Sequence, residues 1–138
     1  MKKNNKSDIF FNINLLLVVI WMGVIFYFSS LQGDGVKYNP PLWFFIERKG
    51  AHIGEYFILV LFLIKFFIKR YSNLKDIFVI SALVALLYAF TDEIHQLFVF
   101  GREGKITDVG FDFIGISLGI VIAWLFFKIK KRKLSSKL

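Results

Sequence analysis

Four long apolar stretches constrain the fold of this chain more than any other feature of its sequence. A transmembrane helix needs about 20 predominantly apolar residues to cross the hydrocarbon core of a bilayer. The stretches cover approximately residues 9–30, 51–69, 76–98 and 108–127. Hydrophobic residues make up 57% of the 138-residue sequence, well above the average for a soluble domain. We therefore predict an all-α polytopic membrane protein, a single domain (1–138) built as a four-transmembrane-helix bundle.

The distribution of basic residues predicts how this bundle is oriented. Lys and Arg collect before the first stretch, between the second and the third, and after the fourth, in residues 128–138. Segments with such an excess stay in the cytoplasm. We therefore expect both termini to be cytoplasmic and residues 128–138 to form a basic cytoplasmic tail. These flanking segments carry most of the positive charge of a chain whose net charge is +8. We expect them to contact anionic lipid headgroups, and we therefore predict no nucleic-acid partner.

The segment before the second span predicts a further helix at the outer face. Pro40 and Pro41 precede an aromatic run that contains Trp43. Pro favours the first turn of a helix and Trp favours the headgroup level, so we expect a short interfacial helix on the outer face before the second span.

The first apolar stretch is too long for a signal peptide, and we interpret it as an uncleaved span. The chain has no Cys, which excludes disulfides and thiolate metal sites.

Ionisable and polar residues lie near the same end of the predicted bundle. They are Lys49, His52, Glu55 and Tyr56 in the second span, Asp92, Glu93, His95 and Gln96 in the third, and Arg102, Asp108 and Asp112 before and in the fourth. With cytoplasmic termini, all of these groups fall at the outer end. Charges in a membrane segment are costly, so they pair with one another or serve a function. We therefore predict a site at the outer end of the bundle.

Helical periodicity places most of these residues on shared faces. The second-span group is spaced by three, three and one residues, which puts its members on one face of a helix. In the third span, Asp92, His95 and Gln96 share a face, whereas Glu93 lies about 100° away. This pattern predicts that the second and third helices turn their polar faces into the bundle.

The fourth span carries a stripe with a spacing of mostly four residues. Asp108 and Asp112 begin it, and Gly115 and Gly119 continue it. The two glycines form a G-x-x-x-G pattern, which lets a neighbouring membrane helix approach closely. We therefore predict that this face of the fourth helix packs tightly against another helix and that its two carboxylates belong to the site.

Three chemical roles fit the predicted site. The first is binding of an anionic lipid headgroup, with Arg102 as a bidentate phosphate clamp and Lys49 as a point charge. The second is general acid/base catalysis by Glu55, Glu93 or His95. The third is metal binding, although the spacing matches no standard zinc signature and therefore does not by itself predict a metal. The nitrogen and oxygen donors for a metal would be His52, Glu55, Asp92 and His95.

A purely structural alternative also fits these residues. Arg102 and Lys49 would then neutralise Glu55, Asp92 and Asp108 at the membrane interface. Charges at that depth are partly solvated, so such a network is cheaper there than at the bilayer midplane. The mixture of bases, acids and His exceeds what one ion pair needs, which favours a functional site.

These residues resemble those of the VanZ-like family of membrane proteins. The resemblance rests on a K-x-x-H-x-x-E-Y run from Lys49 to Tyr56 and a D-E-x-H-Q run from Asp92 to Gln96. Arg102, Asp108 and Gly115 follow in matching order and separation, and an F-S-S-L-Q segment closes the first span. The similarity extends over approximately residues 26–119. Many members have Asn where this chain has Asp112, so Asp112 either keeps a neutral hydrogen-bonding role or adds a charge at that position.

The resemblance implies an integral membrane protein of the bacterial cell membrane, in a family whose namesake is associated with resistance to teicoplanin. Three hypotheses follow. The protein is an envelope factor that binds a phosphate-bearing lipid and alters teicoplanin susceptibility, an intramembrane hydrolase or transferase acting on such a lipid, or a transporter or flippase. Membrane lipids are the expected partners, and a homodimer is a further possibility. The sequence identifies neither a cofactor nor the ligand.

Overall fold

The protein is a bundle of four antiparallel helices in the part of the chain that the structure describes. The computed structural model describes residues 5–32, 42–102 and 104–135. Its helices are α1 (Asn5–Ser29), α2 (Leu42–Phe67), α3 (Leu74–Gln96) and α4 (Ile106–Ser135). These ranges contain no strand. The prediction of an all-α membrane bundle is confirmed.

Three of the helices are long and apolar enough to cross a membrane. The qualifying segments are Ile46–Phe67, Leu74–Gln96 and Ile106–Lys133. In α1, the shorter segment Ile13–Ser29 is also apolar. Large apolar side chains such as Leu87 and Leu118 remain exposed on the outside of the bundle. An exterior with so many exposed apolar side chains suits lipid rather than water.

The start of α2 corrects one prediction. The expected short interfacial helix is not a separate element, because α2 runs without interruption from Leu42 to Phe67. No Pro follows Pro41, and neither Gly50 nor Gly54 breaks the helix, since a glycine in a helix costs only about 1 kcal/mol. Leu42 and Trp43 therefore form an exposed first turn that is continuous with the second span.

The last helix is also longer than its predicted span. α4 continues past residue 127 to Ser135, so the first residues of the basic segment 128–138 are helical. Lys and Arg are good helix formers, which allows the helix to extend beyond its apolar part. Lys128 folds back over the ring of Trp124, with its Nζ atom 4.5 Å from the ring centroid. This contact is typical of an aromatic and basic residue pair at a membrane interface.

Helix α2 lies at the centre of the bundle. It contacts α1, α3 and α4, and its most extensive contact is with α4. A Cβ atom at Gly115 would collide with the backbone carbonyl of Ile53, and one at Gly119 would collide with the side chain of Val60. The G-x-x-x-G pattern therefore performs the predicted close packing, and its partner is α2.

Helix α1 is attached to the bundle by side chains that bond to backbone carbonyls. Trp21 Nε1 donates to the carbonyl of Glu55 at 2.9 Å, and Tyr88 Oη donates to the carbonyl of Met22 at 2.6 Å. These bonds join α1 to α2 and to α3. Because an unpaired polar group in an apolar environment is costly, both aromatic side chains gain a fixed position here.

The antiparallel arrangement brings four helix ends together. We call this the site end: the C-termini of α1 and α3, the first turns of α2, the N-terminus of α4, and the α3–α4 loop. Gly101 adopts a φ of 73° in that loop, a conformation that favours glycine. A Cβ atom at Gly104 would collide with the backbone carbonyl of Glu93, so the loop returns closely against the end of α3.

Candidate functional site

Two polar contacts join α2 to α4 at the site end. Lys49 forms an ion pair with the buried Asp108. One turn deeper, His52 Nδ1 lies 2.9 Å from Asp112 Oδ1, and both side chains are buried. The spacing of three residues on α2 and four on α4 matches these two pairs, since both steps correspond to about one helical turn.

Helix α3 contributes three buried polar side chains. Gln96 Nε2 donates to Asp92 Oδ2 at 3.0 Å, one turn apart on the same helix. Glu93 Oε2 accepts from the backbone N–H of Lys105 at 2.8 Å. Glu93 is therefore held by the returning α3–α4 loop, although it does not share the face of Asp92. Its burial on a second face was not expected from periodicity, and it follows from the close approach of that loop.

His95 lies away from this group. Its ring stacks on Phe26 with centroids 4.3 Å apart, and its Nε2 atom lies 2.9 Å from Ser30 Oγ. Both contacts are with the C-terminal part of α1. The predicted catalytic His95 therefore connects α3 to α1 rather than facing the carboxylates of α3 and α4.

Arg102 binds the end of α1. Its Nε donates to the carbonyl of Leu31, and its Nη2 donates to the carbonyl of Phe28, both at 2.8 Å. The last carbonyls of a helix have no partner within the helix, so this guanidinium acts as a C-terminal cap. The two bonds use only part of its five N–H groups. The bidentate phosphate clamp by Arg102 stays a prediction, and it would have to use the N–H groups that do not cap α1.

A pocket of about 370 Å³ opens beside Arg102 at the site end. Its walls come from α1, α2, α3 and the α3–α4 loop. The lining residues are Phe28, Ser29, Leu31, Arg48, Ala51, His52, Glu55, Asp92, Gln96 and Arg102. Of the predicted ligand-binding residues, it thus brings together His52, Glu55, Asp92, Gln96 and Arg102. Lys49, Tyr56, Glu93, His95, Asp108 and Asp112 are not in its wall.

Arg48 is a charged residue of the pocket that the sequence analysis missed. It lines the pocket, and its Nε atom is buried without a hydrogen-bond partner among the described residues. Burial, followed by the nearby charge of Arg48, lowers the pKa of Arg102. An Arg remains charged in a protein, so two positively charged residues line the same cavity. The available signal was its spacing, because Arg48 precedes His52 by four residues on the same helix.

Tyr56 faces the apolar core instead of the pocket. It is fully buried, and its ring centroid lies 6.3 Å from that of Tyr88. Its Oη atom has no hydrogen-bond partner among the described residues. The predicted ligand-binding role of Tyr56 therefore lacks a direct route from the pocket.

The residues that come closest to forming a metal site differ from the four metal ligands that the sequence suggested. Among the described residues, one donor atom from each of His52, Asp92 and Glu93 lies within 4.8 Å of the others. Glu93 thus takes part in place of Glu55 and His95, because its carboxylate is drawn inwards by the loop and His95 is engaged by α1.

The salt-bridge network of the structural alternative is present only in part. Lys49 neutralises Asp108, as that alternative requires. Arg102 instead bonds to carbonyl oxygens and forms no ion pair within 4.0 Å of Glu55 or Asp92 in the described part of the chain. The pocket carboxylates therefore lack the direct partners that a closed salt-bridge network would give them.

The fold and the site together define a helical membrane protein with a buried polar site at one end of its bundle. A sequence model of the VanZ/LLP1 family matches residues 11–127, and the chain belongs to this family. The resemblance to the VanZ-like family is thereby confirmed. No curated protein and no solved structure matches the chain.

Proposed function

We propose that the protein binds the phosphate-bearing headgroup of an envelope lipid in the site-end pocket. The observation that carries this proposal is the pair Arg48 and Arg102, which both line one cavity. Two like charges in a partly buried cavity repel each other, and an anion between them removes that cost. Guanidinium groups also match the geometry of phosphate oxygens better than any other side chain.

The surroundings of the pocket favour a lipid over a free phosphate ion. Phe28 and Leu31 line the pocket and remain about half exposed, with 48% and 44% of their surface accessible. Trp43 at the start of α2 is 63% exposed and carries the ring type that is enriched at the headgroup level. A headgroup in the pocket would leave its acyl chains against the apolar exterior of the bundle.

The proposed setting is the bacterial cell membrane, with the site end outside. In that orientation the pocket and teicoplanin, itself a lipid-tailed molecule, occupy the same side of the membrane. We propose that occupancy of the pocket alters how teicoplanin reaches its target. The support for this step is the family membership together with the predicted orientation.

Retention of a defined phospholipid tests the proposal. We expect native mass spectrometry to show a phosphatidylglycerol adduct on the purified protein and no adduct of diacylglycerol with the same acyl chains. Arg48→Gln should weaken the adduct about tenfold or more, since a hydrogen bond to a charged group contributes about 1.5–3 kcal/mol. A substitution of Arg48 is a better test than a substitution of Arg102, because Arg102 also caps α1.

Lys69→Gln is the matched control, since Lys69 is exposed at the opposite end of the bundle. Equal retention by Arg48→Gln and Lys69→Gln, or equal binding of diacylglycerol, would reject the pocket as a phosphate site. In cells, a change in teicoplanin susceptibility that depends on the protein should be lost with Arg48→Gln and kept with Lys69→Gln.

A second candidate function is hydrolysis or transfer at the same headgroup. It is favoured by His52 and Glu55, which line the pocket beside the two arginines and offer acid/base groups. The same mass spectra decide this point. A lipid that loses its headgroup with the wild type, and stays intact but bound with Glu55→Gln, would identify an enzyme, whereas an intact lipid in both supports binding alone.

A further inference from the structure

We propose that His52, Asp92 and Glu93 bind one divalent transition-metal ion at the inner wall of the site-end pocket, with Asp112 orienting His52. The inference goes beyond lipid binding and requires neither Arg48 nor Arg102. One donor atom from each of the three ligands lies within 4.8 Å of the others. All three side chains are more than nine-tenths buried, with 5%, 3% and 6% of their surface exposed.

Among the described residues, the carboxylates of Asp92 and Glu93 each use one oxygen atom in a hydrogen bond and leave the other without a donor. Asp92 Oδ2 accepts from Gln96, and Glu93 Oε2 accepts from the backbone N–H of Lys105. The second oxygen of each, Asp92 Oδ1 and Glu93 Oε1, is buried without a hydrogen-bond donor in the described part of the chain. A buried oxygen without a donor is costly, and coordination to a cation satisfies it.

The contact between His52 and Asp112 prepares the imidazole for a metal. Asp112 Oδ1 lies 2.9 Å from Nδ1 of His52, so the carboxylate fixes the proton on Nδ1. The lone pair of Nε2 is then available as a ligand. A carboxylate that binds the second nitrogen of a metal-ligating His is the usual support for such a ligand, and it raises the basicity of the imidazole.

The carboxylates around the inner wall favour a cation at this position. The carboxylates Glu55, Asp92, Glu93, Asp108 and Asp112 outnumber the basic side chains Arg48, Lys49 and Arg102 beside them, even when Lys105 is counted. A divalent ion supplies the missing positive charge in a low-dielectric environment, where uncompensated carboxylates are expensive.

The ligand set indicates the kind of metal. One imidazole nitrogen and two carboxylate oxygens suit Zn²⁺ or Mn²⁺, whereas Mg²⁺ and Ca²⁺ prefer oxygen ligands alone. Three protein ligands leave a position open. Because His52 and Asp92 also line the pocket, a water molecule or a phosphate oxygen from the cavity would complete the coordination.

Zinc binding to the detergent-purified full-length chain tests the proposal without any lipid. After removal of metal with a chelator, we expect the wild type to take up one Zn²⁺ per chain, and Mg²⁺ at equal concentration not to compete. Asp92→Asn and His52→Ala should each lower the zinc affinity at least about a hundredfold, since the first replaces a carboxylate ligand with a neutral amide and the second removes the imidazole. Asp112→Asn keeps an acceptor for Nδ1 but loses the charge, and should lower the affinity about tenfold.

Two controls separate a specific site from loss of folding or surface binding. His95→Ala removes the other of the two histidines in the chain, and Asp76→Asn removes an exposed carboxylate at the opposite end of the bundle. Both should bind zinc like the wild type. A variant is compared with the wild type only when far-ultraviolet circular dichroism shows wild-type helix content. If His52→Ala unfolds, the nearly isosteric Asp92→Asn still tests the site.

Uptake of less than one Zn²⁺ per chain by the wild type would overturn the metal site. So would equal affinity in Asp92→Asn and Asp76→Asn. Zinc binding that depends on His52 but occurs in a protein that retains no phosphatidylglycerol would support the metal site while rejecting the lipid proposal. The reverse result would reject the metal site alone.

Discussion

Asp108 depends on a single basic partner. It is almost completely buried, with 2% of its surface exposed, and pairs with Lys49, whose side chain is 22% exposed. We predict that Lys49→Met destabilises the protein by up to about 3 kcal/mol, because it leaves a buried carboxylate without its cation. The value is at the lower end for a buried pair since Lys49 is partly hydrated. Thermal unfolding in detergent, followed by circular dichroism, measures the change in Tm.

The double variant Lys49→Met/Asp108→Asn shows whether the cause is the lost charge pair. Removing the carboxylate as well should restore a large part of the lost stability, because no uncompensated charge remains. If the double variant were as unstable as the sum of the two single variants, the ion pair would not be the source of the effect.

At the same scale, helical spacing predicted which side chains share a face, but it did not assign their individual partners on other helices. Lys49 and His52 meet Asp108 and Asp112 because one helical turn on α2 faces one helical turn on α4. The partners of Arg102 could not be predicted. They are backbone carbonyls at the end of α1, far away in sequence, and a carbonyl leaves no trace in the residue pattern.

At the scale of elements, the contact between α2 and α4 depends on small side chains. We predict that Gly115→Ala lowers the stability by about 1–3 kcal/mol, because its methyl group would overlap the backbone carbonyl of Ile53, which cannot rotate away. The same thermal unfolding measurement applies. A shift of α4 would also disturb the contact of His52 with Asp112, so zinc affinity should fall together with Tm.

Gly110→Ala is the matched control on the same helix. Gly110 is exposed, and a Cβ atom there would meet no other heavy atom within 4 Å. Alanine is a better helix former than glycine by up to about 1 kcal/mol, so this variant should be as stable as the wild type or more stable. An equal loss of stability in both variants would point to a general effect of substitution in α4 and contradict the packing argument.

The number of helices and most of their ends follow from apolar length, whereas their rotation about the bundle follows only partly from periodicity. The polar face of α2 was predicted correctly at His52 and Glu55. On α3, periodicity separated Glu93 from Asp92, yet both are buried, since α3 is covered on one side by neighbouring helices and on another by the α3–α4 loop. Long-range loop packing of this kind has no periodic signature.

At the scale of the whole molecule, the two ends of the bundle differ in charge. The site end contains the buried carboxylates Asp92, Glu93, Asp108 and Asp112. The opposite end carries the α2–α3 connection, with Lys69, Arg70 and Lys75, and the basic last turns of α4. The orientation with the site end outside is therefore the one that the positive-inside rule favours, and it stays a prediction.

Cysteine labelling tests this orientation directly, because the chain has no Cys of its own. Gln32 is exposed at the site end, and Ser72 is exposed in the α2–α3 connection, so Gln32→Cys and Ser72→Cys are conservative probes of the two sides. In intact cells, a membrane-impermeant maleimide should label Gln32→Cys and leave Ser72→Cys unlabelled. Both should react after the cells are opened, which shows that each thiol is accessible.

The opposite labelling pattern would place the pocket in the cytoplasm. The pocket could then bind only lipid of the inner leaflet, and a direct effect on teicoplanin, which acts outside, would be excluded. The metal site would be unaffected by that outcome, since its ligands come from α2 and α3 and face one another whichever way the bundle is inserted. Orientation thus decides the biological partner of the pocket, whereas the internal geometry decides its chemistry.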